Sequence, residues 1–140
     1  MSEASQFERL LQRAETLLAR LESLLPAGAE APDWQAAIAW RWRRGRGGGR
    51  LQPVTKPHGI RLADLDCIAE QKARVVANTR QFVAAKPANN VLLTGARGSG
   101  KSSLVKAVLN EFAGEGLRLI EVDKDDLTDL PDIVELVQAR

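Results

Sequence analysis

The stretch Val91-Leu92-Leu93-Thr94-Gly95-Ala96-Arg97-Gly98-Ser99-Gly100-Lys101-Ser102-Ser103 constrains what this chain can fold into more than any other. It reads as a short apolar strand running into Gly-x-x-x-x-Gly-Lys-Ser and then into a helical pattern, the Walker A P-loop in its usual setting. A triphosphate carries several negative charges, so the backbone must aim many N–H donors at one point. A loop does that only by passing through unusual φ/ψ values, which accounts for Gly95, Gly98 and Gly100. The helix opening near Gly100 would direct its positive dipole end at the same phosphates. Lys101 stands where a point charge reaches the β- and γ-phosphates, and the Ser102 hydroxyl suits Mg2+, which takes oxygen ligands and keeps several waters. The expected binding set is therefore Gly95, Ala96, Arg97, Gly98, Ser99, Gly100, Lys101, Ser102 and Ser103, with ATP and Mg2+ as ligands. Within it, Ser102 is the metal ligand and Lys101 the catalytic cation that steadies the transferring phosphate. The alternative is a Gly-rich turn between strand and helix, with Lys101 solvated.

Composition mainly excludes. A length of 140 residues suggests one domain, and a net charge of +2 rules out a polycation. The single cysteine, Cys67, excludes an internal disulfide and fits a reducing compartment. No apolar run approaches membrane-spanning length, and Glu3, Glu8 and Glu15 argue against a transit peptide. The expected location is cytoplasmic, with no membrane partner.

Residues from about Ala4 to Leu25 form an amphipathic pattern, with Phe7, Leu10, Leu11, Ala14, Leu17, Leu18, Leu21 and Leu25 on one helical face. Ser2 or Ser5 is the expected cap, and Pro26 followed by Gly28 the expected end. The preferred reading packs this stripe onto the protein's own body; a dimerising coiled coil is the other. Asp33 is expected to cap a short helix from Trp34 to about Trp42. Five arginines and four glycines then fall between Arg41 and Arg50, a density that favours a flexible, solvated linker. Arginines on phosphates with Trp40 or Trp42 stacking on bases is the nucleic-acid alternative. An intermediate reading pairs some of these arginines with the acidic C-terminal stretch. His58, between Pro57 and Gly59, sits in a turn-like setting.

From Arg61 the pattern changes. Asp64 or Asp66 is placed to cap a long helix to about Ala85, with Ile68, Val75, Val76, Thr79, Phe82 and Val83 on its apolar face. Lys86-Pro87-Ala88-Asn89-Asn90 breaks it and leads into the Val91–Leu93 strand. After the loop, Ser102 to about Phe112 reads as a helix with Leu104, Val105, Val108 and Leu109 inward. Leu117–Val122 reads as a second strand, Asp123–Asp129 as a polar turn, and Pro131 opens a last helix carrying Ile133, Val134, Leu136 and Val137. Strand, helix, strand, helix in that order indicates a parallel α/β sheet.

Several of these runs carry a resemblance. Leu65 to Lys72, Asn78, Phe82, Pro87 to Leu93 into the Gly-Ala-Arg-Gly-Ser-Gly-Lys-Ser-Ser loop, the Gly116–Val122 strand and the Trp40/Trp42 region are together similar to a bacterial family of uncharacterised, predicted AAA+ ATPases. The similarity runs from about Trp34 onward, and members are expected to carry Gly where this chain has Cys67. The resemblance implies a P-loop NTPase (AAA+-like) sheet over residues 60–140, preceded by an α-helical N-terminal region over 1–59 with the Arg/Gly linker at 41–50. It also implies that Ile60, Leu65 and Ile68 touch the adenine, ordinary core packing being the other reading. An ATPase needs a second acidic site, and the nearest candidate, Leu119-Ile120-Glu121-Val122-Asp123, is interrupted by Glu121. The seven acids from Glu121 to Glu135 read more simply as a solvated surface. Only two strands are readable where such a sheet usually has about five. The expectation is therefore the first part of an ATP hydrolase whose acidic strand lies beyond residue 140. Residues 1–140 alone are expected to turn over no ATP and to self-associate. A homo-oligomer is left open as a partner. The alternative function is a nucleic-acid-binding or adaptor protein using the Arg/Gly segment and the amphipathic helix.

Overall fold

Indole and guanidinium alternate from Trp40 to Arg43, and a period of two suits a strand with one buried face. In the computed structural model, which describes residues 3–24, 32–45 and 48–138, that stretch is strand β1 (Ala39–Gly45). It folds back antiparallel onto β2 (Gly48–Pro53), with Trp42 opposite Leu51 and Gly45 opposite Gly48. The expected flexible linker is thus a hairpin. The expected short helix is a single turn instead, closed where the Gln35 amide donates to Asp33 Oδ1 at 2.9 Å. Two of the glycines have specific tasks. Gly48 takes φ +113°, and Gly49 lies under the Trp42 indole, where an added Cβ would fall 1.6 Å from Cζ2. Arg46 and Gly47 lie outside the described residues.

The other edge of β1 pairs in parallel with β3 (Leu119–Glu121), giving a three-stranded sheet of order β2-β1-β3. The sheet is therefore mixed, not parallel as expected, and it unites residues from both sides of position 60. Its parallel register sets Arg41 beside Glu121, and these form an ion pair at 2.6 Å. Two residues on, Arg43 reaches Asp123 at 3.7 Å. On the opposite face Trp42 Nε1 donates to Asp129 Oδ2 at 3.0 Å, and Arg44 binds Asp129 and Asp126. The pairing of these arginines with the acidic stretch is what the intermediate reading expected, and that stretch is correspondingly not a merely solvated surface.

The Val91–Leu93 strand does not form. It joins no ladder, Leu92 is 87 % exposed, and Val91 and Leu93 line an apolar groove of about 340 Å³ with Phe82, Val105 and Leu119. A hydrophobic run becomes a strand only when a neighbouring strand takes up its backbone groups.

The helices follow the sequence more closely. Helix α1 (Glu3–Leu24) begins before Ser5, which is therefore not its cap; Ser2, Leu25, Pro26 and Gly28 lie outside the described residues. Its apolar stripe stays exposed rather than packing on the body. Helix α2 (Ala69–Val83) starts later than expected, because Cys67 adopts φ +63° and interrupts the helical path. Asp64 instead closes a 3-10 turn over Leu62–Asp64, accepting the Arg61 amide at 2.8 Å. The end of α2 is a Schellman turn: Lys86 N bonds Gln81 O at 2.9 Å and Ala85 N bonds Phe82 O at 3.0 Å, with Ala85 at φ +55°. Helix α3 (Lys101–Phe112) supplies most of the core, in which Leu104, Ala107, Val108 and Phe112 join Leu65. Val105, expected inward, is 38 % exposed. A 3-10 turn over Lys124–Asp129 replaces the polar turn and runs into α4 (Leu130–Gln138), whose Ile133 is buried while Val134 is exposed. Among the described residues no helix is long and apolar enough to cross a membrane.

Candidate functional site

The loop between Thr94 and α3 is shaped by its glycines. Gly95, Gly98 and Gly100 take φ values of +140°, +84° and +82°, a region that side chains with a Cβ avoid. The turn closes where Ser99 N donates to Ala96 O at 3.3 Å, and α3 begins with Leu104 N on Gly100 O at 2.8 Å. Gly100 is the N-cap residue, left-handed and without a side-chain bond to the first turn. The first-turn amides of α3 are therefore not taken up by a cap and remain available as donors to an anion at the dipole's positive end.

Lys101 bends back over this loop. Its Nζ donates to Gly95 O at 2.8 Å, Ala96 O at 2.6 Å and Ser99 Oγ at 3.0 Å, which uses all three ammonium protons. All three acceptors are uncharged, so the ammonium is hydrogen-bonded but not neutralised. Ser102 projects from the first turn and is exposed, and Ser103 beside it is half-buried. Ala96 and Arg97 are exposed at the loop's tip. The nine expected binding residues thus form one continuous feature.

A cleft of about 200 Å³ opens beside the loop, lined by Ile68 and Gln71 at the start of α2, Leu93, Thr94, and the loop residues Gly95, Ser99 and Gly100. Lys101 and Leu104 complete its wall. Of the three candidate base contacts, Ile68 lines this cleft, whereas Leu65 is buried in the core and Ile60 packs against it. Gln71 and Thr94 were not among the expected site residues. Gln71 was findable, since it lies one turn beyond Ile68 on the same helical face. The α2 wall is held in place from two sides. Lys72 Nζ donates to Leu62 O at 2.9 Å and Leu65 O at 3.0 Å, fixing the segment that precedes the helix. Asn78 exchanges two 2.8 Å bonds with the backbone of Asn89, which anchors the chain entering the loop.

The site suits a nucleotide's metal only in part. Mg2+ needs one protein oxygen beyond phosphates and water, and the exposed Ser102 hydroxyl can supply it. Among the described residues no group of three or more His, Cys, Asp or Glu side chains gathers as a metal site. In the Leu119–Asp123 run, the nearest candidate for an acidic site, Glu121 and Asp123 are bound to Arg41 and Arg43.

Residues 35–140 match the model of a family described as "Protein of unknown function (DUF815)". No curated protein matches the chain, and no solved structure does.

Proposed function

The chain belongs to this family, whose description assigns no activity, and we propose that it binds Mg-ATP through residues Gly95 to Ser103 as part of an AAA+-type ATPase. One observation carries the reading: Lys101 is held over a loop of left-handed glycines by neutral acceptors alone, at the start of a helix without a capping side chain. An arriving phosphate offers that ammonium the counter-charge it lacks, and the first-turn amides of α3 the acceptors they lack. In the complex Lys101 exchanges the Gly95 and Ala96 carbonyls for phosphate oxygens. Ser102 would hold a Mg2+ ion through its hydroxyl, and the metal would supply counter-charge to the bound phosphates. Ile68 and Gln71 line the cleft beside the loop, and on this reading they meet the rest of the nucleotide.

Hydrolysis asks for a carboxylate to position water. With Glu121 and Asp123 committed to arginines, residues 1–140 bind nucleotide without measurable turnover on this reading. The rival function, nucleic-acid or adaptor binding through the arginine–glycine stretch, loses support from the same pairs, since Arg41, Arg43 and Arg44 face carboxylates. Titration calorimetry with Mg-ATP on the full chain and on Lys101→Ala tests the proposal. Saturable binding that collapses in the variant is the expected result, and equal affinity in both would sink it.

A further inference from the structure

Helix α1 keeps Phe7, Leu10, Leu11, Leu17, Leu18 and Leu21 between 49 % and 69 % exposed. At about 100° per residue these side chains and Ala14 fall within an arc roughly 120° wide. The charges beside that arc are sorted by sign. Glu8 and Glu15, seven residues apart, flank one side of the stripe. Arg13 and Arg20, also seven apart, flank the other, with Arg9 next to them. A lone helix with such a face is marginal in water, because its stability depends on covering the apolar side.

The sorted flanks decide what covers it. If two copies of α1 meet face to face and run in the same direction, the two-fold axis lies along the helices. The acidic flank of one copy then stands beside the basic flank of the other, on both sides of the seam. If one helix is reversed, acid meets acid on one side and base meets base on the other. A seven-residue spacing on both flanks repeats the match along the seam. We infer that α1 is a self-association element that pairs in parallel with α1 of a second copy of this chain, its register and direction set by Glu8 and Glu15 against Arg13 and Arg20. This surface is independent of the nucleotide loop. It adds a dimer axis at the N-terminal end of the chain, so that two loops are carried by one assembly.

The test is sedimentation equilibrium of the full chain at tens of micromolar, with two charge-reversed variants, Glu8→Arg/Glu15→Arg and Arg13→Glu/Arg20→Glu. The parent should show a concentration-dependent dimer. Each variant alone should dissociate at concentrations on the order of tenfold higher or more, since both flanks then carry one sign. An equimolar mixture of the two should recover the dimer, which also shows that the variants fold. Direction is read separately with Leu10→Cys in a Cys67→Ser background. A parallel pair forms the 10–10 disulfide on mild oxidation, whereas an antiparallel pair sets position 10 against position 18 and forms none. A monomeric parent overturns the inference, as does a dimer indifferent to both reversals or one lacking the 10–10 crosslink. A monomer that binds phosphatidylcholine/phosphatidylglycerol vesicles would assign the face to lipid instead.

Discussion

Two stretches of this chain are rich in glycine and positive charge, and the structure uses them in opposite ways. In the β1–β2 hairpin the guanidinium groups of Arg41, Arg43 and Arg44 meet Glu121, Asp123, Asp126 and Asp129. Where the second loop enters α3, the ammonium of Lys101 meets two carbonyls and a hydroxyl. The glycines differ as well. Gly49 is needed for space, because the Trp42 ring occupies the volume of its missing Cβ. Gly95, Gly98 and Gly100 are needed for backbone angle. Neutralised cations, in a hairpin whose glycine makes room for an indole, build structure. An un-neutralised cation over bent glycines is what the proposed anion would meet. Composition alone does not separate the two, and the identity of the partner does.

The comparison breaks most decisively at Lys101. Lys101→Ala should weaken Mg-ATP binding by about 2 kcal/mol, roughly thirtyfold in Kd, while leaving the denaturant midpoint nearly unchanged. A variant that unfolds more easily but binds as well would place Lys101 with the structural cations. Gly49→Ala probes the other side of the contrast. Forcing a methyl into the Trp42 ring should destabilise the fold by about 1–3 kcal/mol in urea titration, with nucleotide affinity of the folded fraction intact.

Cys67 sharpens the argument about backbone angle. The resemblance led to Gly at this position, and the residue is exposed with φ +63°, so the demand is conformational and not one of close packing. Cys67→Gly should stabilise the protein by about 1 kcal/mol, measured as a higher urea midpoint.

A smaller effect is expected from acid. The Arg44 guanidinium, then the Trp42 N–H, hold the Asp129 carboxyl down at about 2. A depressed carboxylate adds stability that is complete above its unfolded value near 4 and is lost as pH falls toward about 2. Asp129→Asn should therefore lower the melting temperature at neutral pH and flatten its decline between those limits. An identical acid limb in the variant would remove Asp129 from the account. Smallest of all is the change expected from Arg43→Ser/Arg44→Ser. Nucleotide affinity should not move, and the parent should show no steeply salt-dependent binding to oligonucleotides for the variant to lose.

The loop was legible because its requirement is local. Left-handed angles demand glycine at the positions themselves, and the helix that follows has its own period. Helices α1, α3 and α4 were legible on the same ground. The hairpin was not, because five arginines and four glycines hid the alternation of Trp40 and Trp42, and because the strand that completes β1 lies about eighty residues away. The reverse error occurred at Val91–Leu93, where apolar, β-prone residues suggested a strand and no neighbour pairs with it. The late start of α2 follows from one residue, Cys67, whose left-handed angle nothing in its side chain announces.

The β1–β3 register also has a consequence in time. Arg41 and Glu121 are separated by 80 positions, and Trp42 and Asp129 by 87. During synthesis at about 5–20 residues per second, the hairpin leaves the ribosome roughly 4 to 16 seconds before the segment that buries its tryptophans and answers its arginines. A two-stranded hairpin is marginal alone, and in that interval its indoles have no third strand to lie against. Until that segment arrives the arginines carry unanswered charge, which favours hydration over contact between like-charged hairpins. The same side chains then serve twice, first as a solubilising coat and later as one half of the clasp that closes the sheet.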